Sequence, residues 1–296
     1  MSIIYAGEIF SFFCAITWAM AIIFFRLSGQ SIGPFALNLF KNVAAVLLLL
    51  MTFLIFKKNL YRPVPAMDYI MLLSSGVIGI AIADTIFLKS LNLLGAGLSS
   101  IVDCIYSPAV ILLSFVFLDE RLGYVQFIGV ALILSAIIIS SVQTHSHKIT
   151  LRDLMVGIIL GVFSMFLMAV SIVMVKPILN RAPVLWSTEL RMIGGAITLL
   201  IMFILHPDKK RIIASIRPSR DWRYIIPGIF LGGYLSIILW IAGMKFTLSS
   251  VAAVINQTSI IFVFIFAGIF LKEPITFRRC TGIILAVCGV ILTTIG

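Results

Sequence analysis

Hydrophobic positions run along the chain in long segments, each ending at a cluster of charged residues, proline or glycine. The segments are 19 to 23 residues long, and an α-helix of about 20 apolar residues crosses the hydrocarbon core of a bilayer. A polar stretch at 143–153 links two sets of five segments. The pattern predicts ten transmembrane helices, near residues 7–25, 34–56, 67–88, 95–117, 123–142, 154–175, 183–205, 223–245, 248–270 and 277–295.

Composition supports a membrane protein and excludes the main alternatives. Hydrophobic residues make up 61% of the 296 positions and charged residues 11%, against about 25% charged residues in soluble proteins. A soluble domain of this length needs a larger charged surface, so an ordinary soluble protein, a disordered chain and a fibrous repeat are all excluded. The predicted helices leave no room for a second, soluble domain.

The net charge of +11 comes mainly from Lys and Arg in short loops, where these residues face lipid headgroups. We therefore expect membrane lipids, and not nucleic acid, to contact them. The cysteines show no CxxC spacing, which predicts neither a disulfide framework nor a metal site. The loops on the side of the N-terminus hold seven Lys and Arg and the opposite loops thirteen. This count favours termini outside, whereas the first half of the chain alone favours termini inside.

The two halves of the chain align at constant offsets of 150 and 153 residues. Each half has five predicted helices, an odd number, so the second half enters the membrane in the opposite orientation. Inverted repeats are typical of secondary transporters, whose substrate site lies near the membrane midplane between the repeats. The aligned charged and amide residues are Arg26 with Lys176, Lys41 with Arg191, Asp103 with Asn256, and Glu120 with Glu273.

Residues 90–134 resemble the closing part of an EamA-type repeat of the drug/metabolite transporter superfamily. The second copy keeps Leu271, Glu273 and Gly282 but has Ile261 where the first has Pro108. The resemblance implies an all-α integral membrane fold of ten helices in two inverted repeats, residues 1–142 and 154–296. It also implies a basket-shaped secondary transporter with a central cavity lined by the first four helices of each repeat. The matching residues in the first copy are Ser99, Ser100, Pro108, Leu118, Glu120, Leu122, Gln126 and Gly129.

Four charged residues lie well inside the predicted helices: Lys41, Asp84, Asp103 and Arg191. A charge at the centre of a spanning helix costs about 2.5–3.5 kcal/mol on insertion scales, so such residues face the protein interior and usually pair. Lys41 and Arg191 are related by the duplication, which predicts two cations beside a central cavity that hold a carboxylate or phosphate. The alternative is that both side chains extend to the membrane surface.

The two intramembrane aspartates allow three interpretations. Burial favours the protonated carboxyl group, so Asp84 and Asp103 are candidates for carrying a coupling proton. They are equally able to bind an amine on the substrate, or Asp84 to neutralise Lys41 in a structural ion pair. The position equivalent to Asp84 in the second half is Ile237.

Polar and aromatic residues complete the predicted cavity. Ser99, Asp103 and Tyr106 form one polar stripe at helical spacing, which either faces the cavity or makes hydrogen bonds between helices. We expect Trp18 and Trp240 to form aromatic walls or simply to pack, and Glu120 and Glu273 to stabilise the starts of the fifth and tenth helices. Glu189 lies one turn into its helix, nearer the membrane surface. The predicted cavity residues are Trp18, Lys41, Asp84, Ser99, Asp103, Tyr106, Arg191, Trp240, Asn256 and Gln257.

The sequence has no HExxH motif, phosphate-binding loop or intramembrane Ser/His/Asp set, so neither an enzyme nor an ATP-driven pump is predicted. The leading hypothesis is a secondary transporter that moves a small metabolite across the cytoplasmic membrane by alternating access. The mixed charges favour an amino acid or related zwitterion, without a cofactor or metal. We expect efflux, cytoplasmic termini and a monomer, with protons as the candidate coupling ion. The alternatives are an intramembrane lipid-modifying enzyme and a channel.

Overall fold

The computed structural model describes residues 5–29, 32–57, 59–118, 123–141, 150–216, 222–247, 249–273 and 276–295, and within these ranges its regular structure is entirely helical. Two short helices, Lys176–Arg181 and Lys209–Ile216, lie in connections. The longer helices are α1 (Ala6–Ser28), α2 (Pro34–Ile55), α3 (Ala66–Leu94), α4 (Ala96–Asp103 and Tyr106–Leu118), α5 (Tyr124–Ser141), α6 (Leu151–Val173), α7 (Val184–Leu205), α8 (Trp222–Phe246), α9 (Ser249–Gln257 and Ser259–Phe270) and α10 (Phe277–Ile295).

Seven of these helices, α1 to α4 and α6 to α8, are long and apolar enough to cross a membrane, and α5, α9 and α10 contain shorter apolar stretches. The predicted all-helical membrane fold is thereby confirmed. α3 continues to Leu94, six residues beyond its predicted end. α6 begins at Leu151 inside the predicted polar link, because the Thr150 hydroxyl caps its start by accepting a hydrogen bond from the Asp153 amide at 3.1 Å. Most of that link lies outside the described residues.

The third helix of each half contains a π-helical stretch, Gly76–Ala83 in α3 and Ile229–Leu235 in α8, whose starts are 153 residues apart. A π-helical stretch changes the backbone hydrogen-bond register, so side chains from neighbouring helices are able to reach its carbonyls. Asn38 of α2 donates to the Ile80 carbonyl at 2.8 Å, and Ser164 of α6 donates to the Ala83 carbonyl at 2.9 Å. The π-helical stretch of α3 is therefore held by side chains from two other helices.

Two basic residues at positions related by the duplication cap the C-terminal ends of two helices. Arg26 donates hydrogen bonds to the carbonyls of Leu91 and Asn92 at the end of α3, at 3.3 and 2.6 Å. Lys176 donates to the carbonyl of Met244 near the end of α8. A cation at a helix C-terminus satisfies free carbonyls and complements the helix dipole. The aligned pair Arg26 and Lys176 thus makes equivalent contacts in the two halves.

Glu273 caps a different helix from the one predicted. Its carboxylate accepts hydrogen bonds from the backbone amides of Ala96 at 2.9 Å and Gly97 at 3.2 Å, which begin α4 in the other half of the chain. The sequence placed this residue at the start of the tenth helix because it is close to α10 along the chain, whereas folding brings the loop before α10 against α4. Glu120, its aligned counterpart, lies outside the described residues.

Candidate functional site

A cavity with about 900 Å³ of empty space, part of it open solvent, lies between the two halves of the chain. Side chains from α1 to α4 and from α6 to α9 line the cavity, while α5 packs along α10 and no described residue of either lines it. Nine of the ten predicted residues line this cavity, namely Trp18, Lys41, Asp84, Asp103, Tyr106, Arg191, Trp240, Asn256 and Gln257. Their roles in substrate binding stay predictions.

Ser99 does not line the cavity, in contrast to the predicted polar stripe, and is buried at 2% exposure. The reason lies in α4, which stops being helical at Cys104–Ile105. Asp103 and Tyr106 flank this break and reach the cavity, whereas Ser99 lies one turn earlier in the packed first segment. The Asp103 carbonyl at the break accepts a hydrogen bond from Gln257 at 3.3 Å, which joins α4 to the equivalent break in α9.

Lys41 and Asp84 form a buried ion pair. The Lys41 Nζ lies 2.5 Å from the Asp84 Oδ2, and the two side chains are 2% and 7% exposed. The Lys41 ammonium also lies 5.6 Å from the centre of the Phe25 ring. The side chain therefore does not extend to the membrane surface. Of the three interpretations of the aspartates, the geometry matches the one in which Asp84 neutralises Lys41. The two charges cancel on one side of the cavity.

Arg191 has no such carboxylate partner among the described residues. Its Nη2 donates to the Ser171 hydroxyl at 3.3 Å, and its Cζ lies 5.1 Å from the centre of the Trp240 ring. Its Nε and Nη1 have no hydrogen-bond partner in the described residues, although the side chain is 2% exposed. A buried guanidinium normally has its donors satisfied, so this arrangement leaves donors for a further acceptor.

The backbone around Arg191 is packed unusually closely against α3. A Cβ placed on Gly76, the first residue of the π-helical stretch, would lie 1.9 Å from the Arg191 carbonyl oxygen. On the other side of the cavity, a Cβ on Gly233 in the π-helical stretch of α8 would lie 3.1 Å from the Lys41 Cγ. Each basic residue is therefore packed against the π-helical stretch of the other half.

Asp103 faces the cavity without an ion-pair partner among the described residues. The Trp18 side chain lies next to the Asp103 carboxyl group. Both side-chain polar atoms of Asn256 and the hydroxyl of Tyr106 are buried without a hydrogen-bond partner in the described chain. Because buried polar groups in proteins are nearly always hydrogen-bonded, this concentration of unsatisfied groups in one cavity is typical of a site that receives a polar ligand or water.

Further polar side chains from α1, α7 and α8 line the cavity beside the predicted residues. Cys14 and Ser236 meet across the cavity wall, with the Cys14 Sγ 3.4 Å from the Ser236 carbonyl oxygen. Thr188 lies one turn before Arg191. Apolar residues such as Ile80 and Ile237 also line the cavity, and nothing distinguishes them from the surrounding apolar sequence. The described residues bring no three His, Cys, Asp or Glu side chains together as a metal site.

Comparisons with known proteins agree with this architecture. The sequence profile of the EamA-like transporter family matches residues 5–142 and 155–295. An uncharacterized transporter of Archaeoglobus fulgidus is 25% identical over 283 residues, which cover 94% of each chain. The uncharacterized transporter YetK of Bacillus subtilis is 26% identical over 128 residues, 43% of this chain and just over a third, 37%, of that one. A crystal structure of a protein 14% identical has a TM-score of 0.70, covers 98% of this chain and 96% of its own, and shows likeness of fold alone.

Proposed function

Because this chain belongs to the EamA-like transporter family, we propose that it is a secondary transporter that binds a small zwitterion, such as an amino acid, in the central cavity. The observation that carries this proposal is the presence of one acidic and one basic side chain, Asp103 and Arg191, that line one cavity without ion-pair partners among the described residues. The other two charged residues of the cavity neutralise each other.

A zwitterion satisfies both free charges at once. Its carboxylate accepts hydrogen bonds from the unpaired nitrogens of Arg191, for which guanidinium donors are well suited. Its ammonium group faces Asp103, whose carboxylate attracts a cation in the buried site. A simple anion would leave Asp103 uncompensated and a simple cation would leave Arg191 uncompensated, and a buried charge without a partner is costly.

Transport by alternating access needs helices that change shape around the cavity. The π-helical stretches of α3 and α8 and the breaks in α4 and α9 all occur beside lining residues. Such irregular backbone is a common point of bending in helices. We therefore place the movement at these four positions, with the two halves of the chain acting as inverted repeats around a fixed site.

We place the protein in the cytoplasmic membrane with both termini in the cytoplasm, and we expect it to work as a monomer. A reporter fused to the C-terminus tests the orientation, since activity only on the outer face would contradict it. Coupling to protons, and efflux as the direction of transport, are part of this proposal. The energy then comes from a proton or substrate gradient.

Counterflow in proteoliposomes separates a carrier from the alternatives. Vesicles are loaded with unlabelled standard amino acids and diluted into a radiolabelled mixture of the same compounds. A carrier accumulates label transiently and saturates, a channel gives flux proportional to concentration, and an enzyme changes the chemical identity of the label.

Variants then link the flux to the cavity. We expect Arg191→Gln and Asp103→Asn each to lower counterflow at least tenfold, while Lys89→Gln, an exposed position on α3 outside the cavity, leaves it unchanged. The mixture of amino acids removes the need to know the substrate in advance. Robust counterflow that is identical in all three variants would remove both residues from the site.

A further inference from the structure

Glu189 is a buried acidic residue outside the cavity. It is 0% exposed, and neither of its carboxyl oxygens has a hydrogen-bond partner in the described residues. It follows Thr188, which lines the cavity, but successive residues of an α-helix point about 100° apart. Glu189 is not itself a lining residue. Its carboxyl group is therefore enclosed by the helices packed around α7.

The titratable groups on the helices packed against α7, which are α2, α3 and α8, are engaged elsewhere or exposed. On α7 itself, Arg191 contacts Ser171 and Trp240. No described cation lies within ion-pair distance of Glu189. The engaged groups are Lys41 with Asp84, Asp68 with Arg181, Tyr69 with the backbone of Arg62, Tyr234 with Thr52, Lys245 with the Ala182 carbonyl and Arg223 with the Tyr224 ring, and Lys89 is exposed.

A carboxyl group in such surroundings is stable as the neutral acid. An ionised carboxylate needs water, hydrogen-bond donors or a cation, and the described surroundings of Glu189 provide none of these. The neutral acid carries one donor hydrogen, and its desolvation is far less costly than that of a charge. The packing around Glu189 thus favours a bound proton in this conformation.

The segment 59–65 lies over the start of α7, one turn before Glu189. The Trp186 indole donates a hydrogen bond to the Leu60 carbonyl at 2.8 Å. The Arg62 guanidinium lies 5.9 Å from the centre of the Trp186 ring, and the Tyr69 ring packs edge-on against the same ring at 5.4 Å. Displacement of this cover would expose the start of α7, and with it the buried acid, to water.

We propose that Glu189 is a proton-binding site of the transport cycle. The carboxyl group holds its proton while the start of α7 is covered as observed. When α7 moves and water enters, the O–H bond breaks, the proton passes to water and the carboxylate is stabilised by water. The bound proton follows from the packing alone, whereas its coupling to transport rests on the proposed function.

Infrared spectroscopy of the purified protein in lipid bilayers tests the bound proton without any substrate. A neutral carboxyl group gives a carbonyl stretching band that a carboxylate lacks. At neutral pH we expect such a band in the unaltered protein, its loss in Glu189→Gln and its retention in Glu8→Gln, a half-buried acid hydrogen-bonded to Thr247. Glu189→Met serves as a second variant of similar size. An unchanged band in both Glu189 variants would overturn the proposal.

Infrared spectroscopy also tests whether the segment 59–65 shields Glu189 from water. Trp186→Ala removes the side chain that holds the cover, so we expect the Glu189 band to disappear at a lower pH than in the unaltered protein. A band with the same pH dependence in Trp186→Ala would contradict the proposed cover.

Coupling is measured in proteoliposomes with an imposed pH gradient and the radiolabelled amino acid mixture. One proton per substrate supports about tenfold accumulation for each unit of pH gradient. We expect Glu189→Gln to abolish this accumulation while it retains counterflow without a gradient. Full gradient-driven accumulation in Glu189→Gln would overturn the coupling role and leave the proposed function intact, whereas absence of counterflow in the unaltered protein would overturn the proposed function instead.

Discussion

The ammonium of Lys41 lies 2.5 Å from the carboxylate of Asp84 in the interior of the helix bundle. The duplication relates Lys41 to Arg191 and Asp84 to Ile237, so the second half keeps the cation and lacks the acid. One cation is neutralised within the protein and the other has unpaired donors at the cavity. Because the second half has Ile237 in place of an aspartate, Arg191 keeps the free positive charge that the proposed site uses.

Restoring the missing acid should close this site. Ile237→Asp places a carboxylate at the position equivalent to Asp84, close to the ring of Trp240 on which Arg191 lies. We expect an ion pair with Arg191 and at least a tenfold loss of affinity for amino acids in a binding assay, because the substrate carboxylate loses its partner. Ile237→Asn is the matched control of the same size without the charge. Equal affinity in the two variants would contradict the role assigned to Arg191.

The Lys41–Asp84 pair makes a prediction about stability. Lys41→Met leaves Asp84 as a buried charge without its cation, so we expect a loss of about 3–5 kcal/mol in the free energy of unfolding. The double variant Lys41→Met/Asp84→Leu removes both charges and should recover much of that loss. Unfolding in detergent provides the measurement. If the double variant loses more free energy of unfolding than Lys41→Met and Asp84→Leu lose together, the pair is not the main contact of either residue.

The close approach of α3 and α7 depends on a glycine. Gly76→Ala introduces a methyl group 1.9 Å from the Arg191 carbonyl oxygen, which the backbone has to move to accommodate. Overpacking of this kind costs about 1–3 kcal/mol, and we expect a displaced Arg191 to weaken ligand binding as well. Gly33→Ala is the control, because a Cβ there meets nothing within 4 Å. Equal stability of the two variants would contradict the packing described.

Glu273 makes a contact between the two halves that is separate from the cavity. Glu273→Ala removes the acceptor of the Ala96 and Gly97 amides, and loss of a helix cap costs about 0.5–2 kcal/mol. We expect lower thermal stability with unchanged ligand affinity, because the residue does not line the cavity. Arg278→Ala, an exposed change near the start of α10, should have little effect on either. A change in affinity without a change in stability would place Glu273 in the binding machinery.

The sequence predicted the helices well because hydrophobic length is what a bilayer selects. The offsets of 150 and 153 residues also anticipated equivalent contacts, since Arg26 and Lys176 each close the end of a helix in their own half. Intramembrane charge was informative for a similar reason. Charged residues are rare in this chain, and the four that lie well inside the predicted helices all line the cavity.

Other features had no local signal. The π-helical stretch at Gly76–Ala83 depends on Asn38 and Ser164 from other helices, which hydropathy does not reveal. The partner of Glu273 lies 177 residues away along the chain, so proximity in sequence suggested the wrong helix. The burial of Glu189 was missed because its distance from the start of its helix favoured the membrane surface, whereas the packing encloses it completely.

The central claim is that Asp103 and Arg191 bind the two charges of one zwitterion. Its most direct test is the affinity of the purified protein for three compounds: the amino acid with the highest counterflow, the amine that lacks its carboxylate and the acid that lacks its amino group. We expect the amino acid to bind at least tenfold more tightly than either analogue. Arg191→Gln should abolish only the tighter binding of the amino acid relative to the amine. Asp103→Asn should abolish only the tighter binding of the amino acid relative to the acid. Equal binding of all three compounds, or the same loss in both variants for both comparisons, would contradict this account.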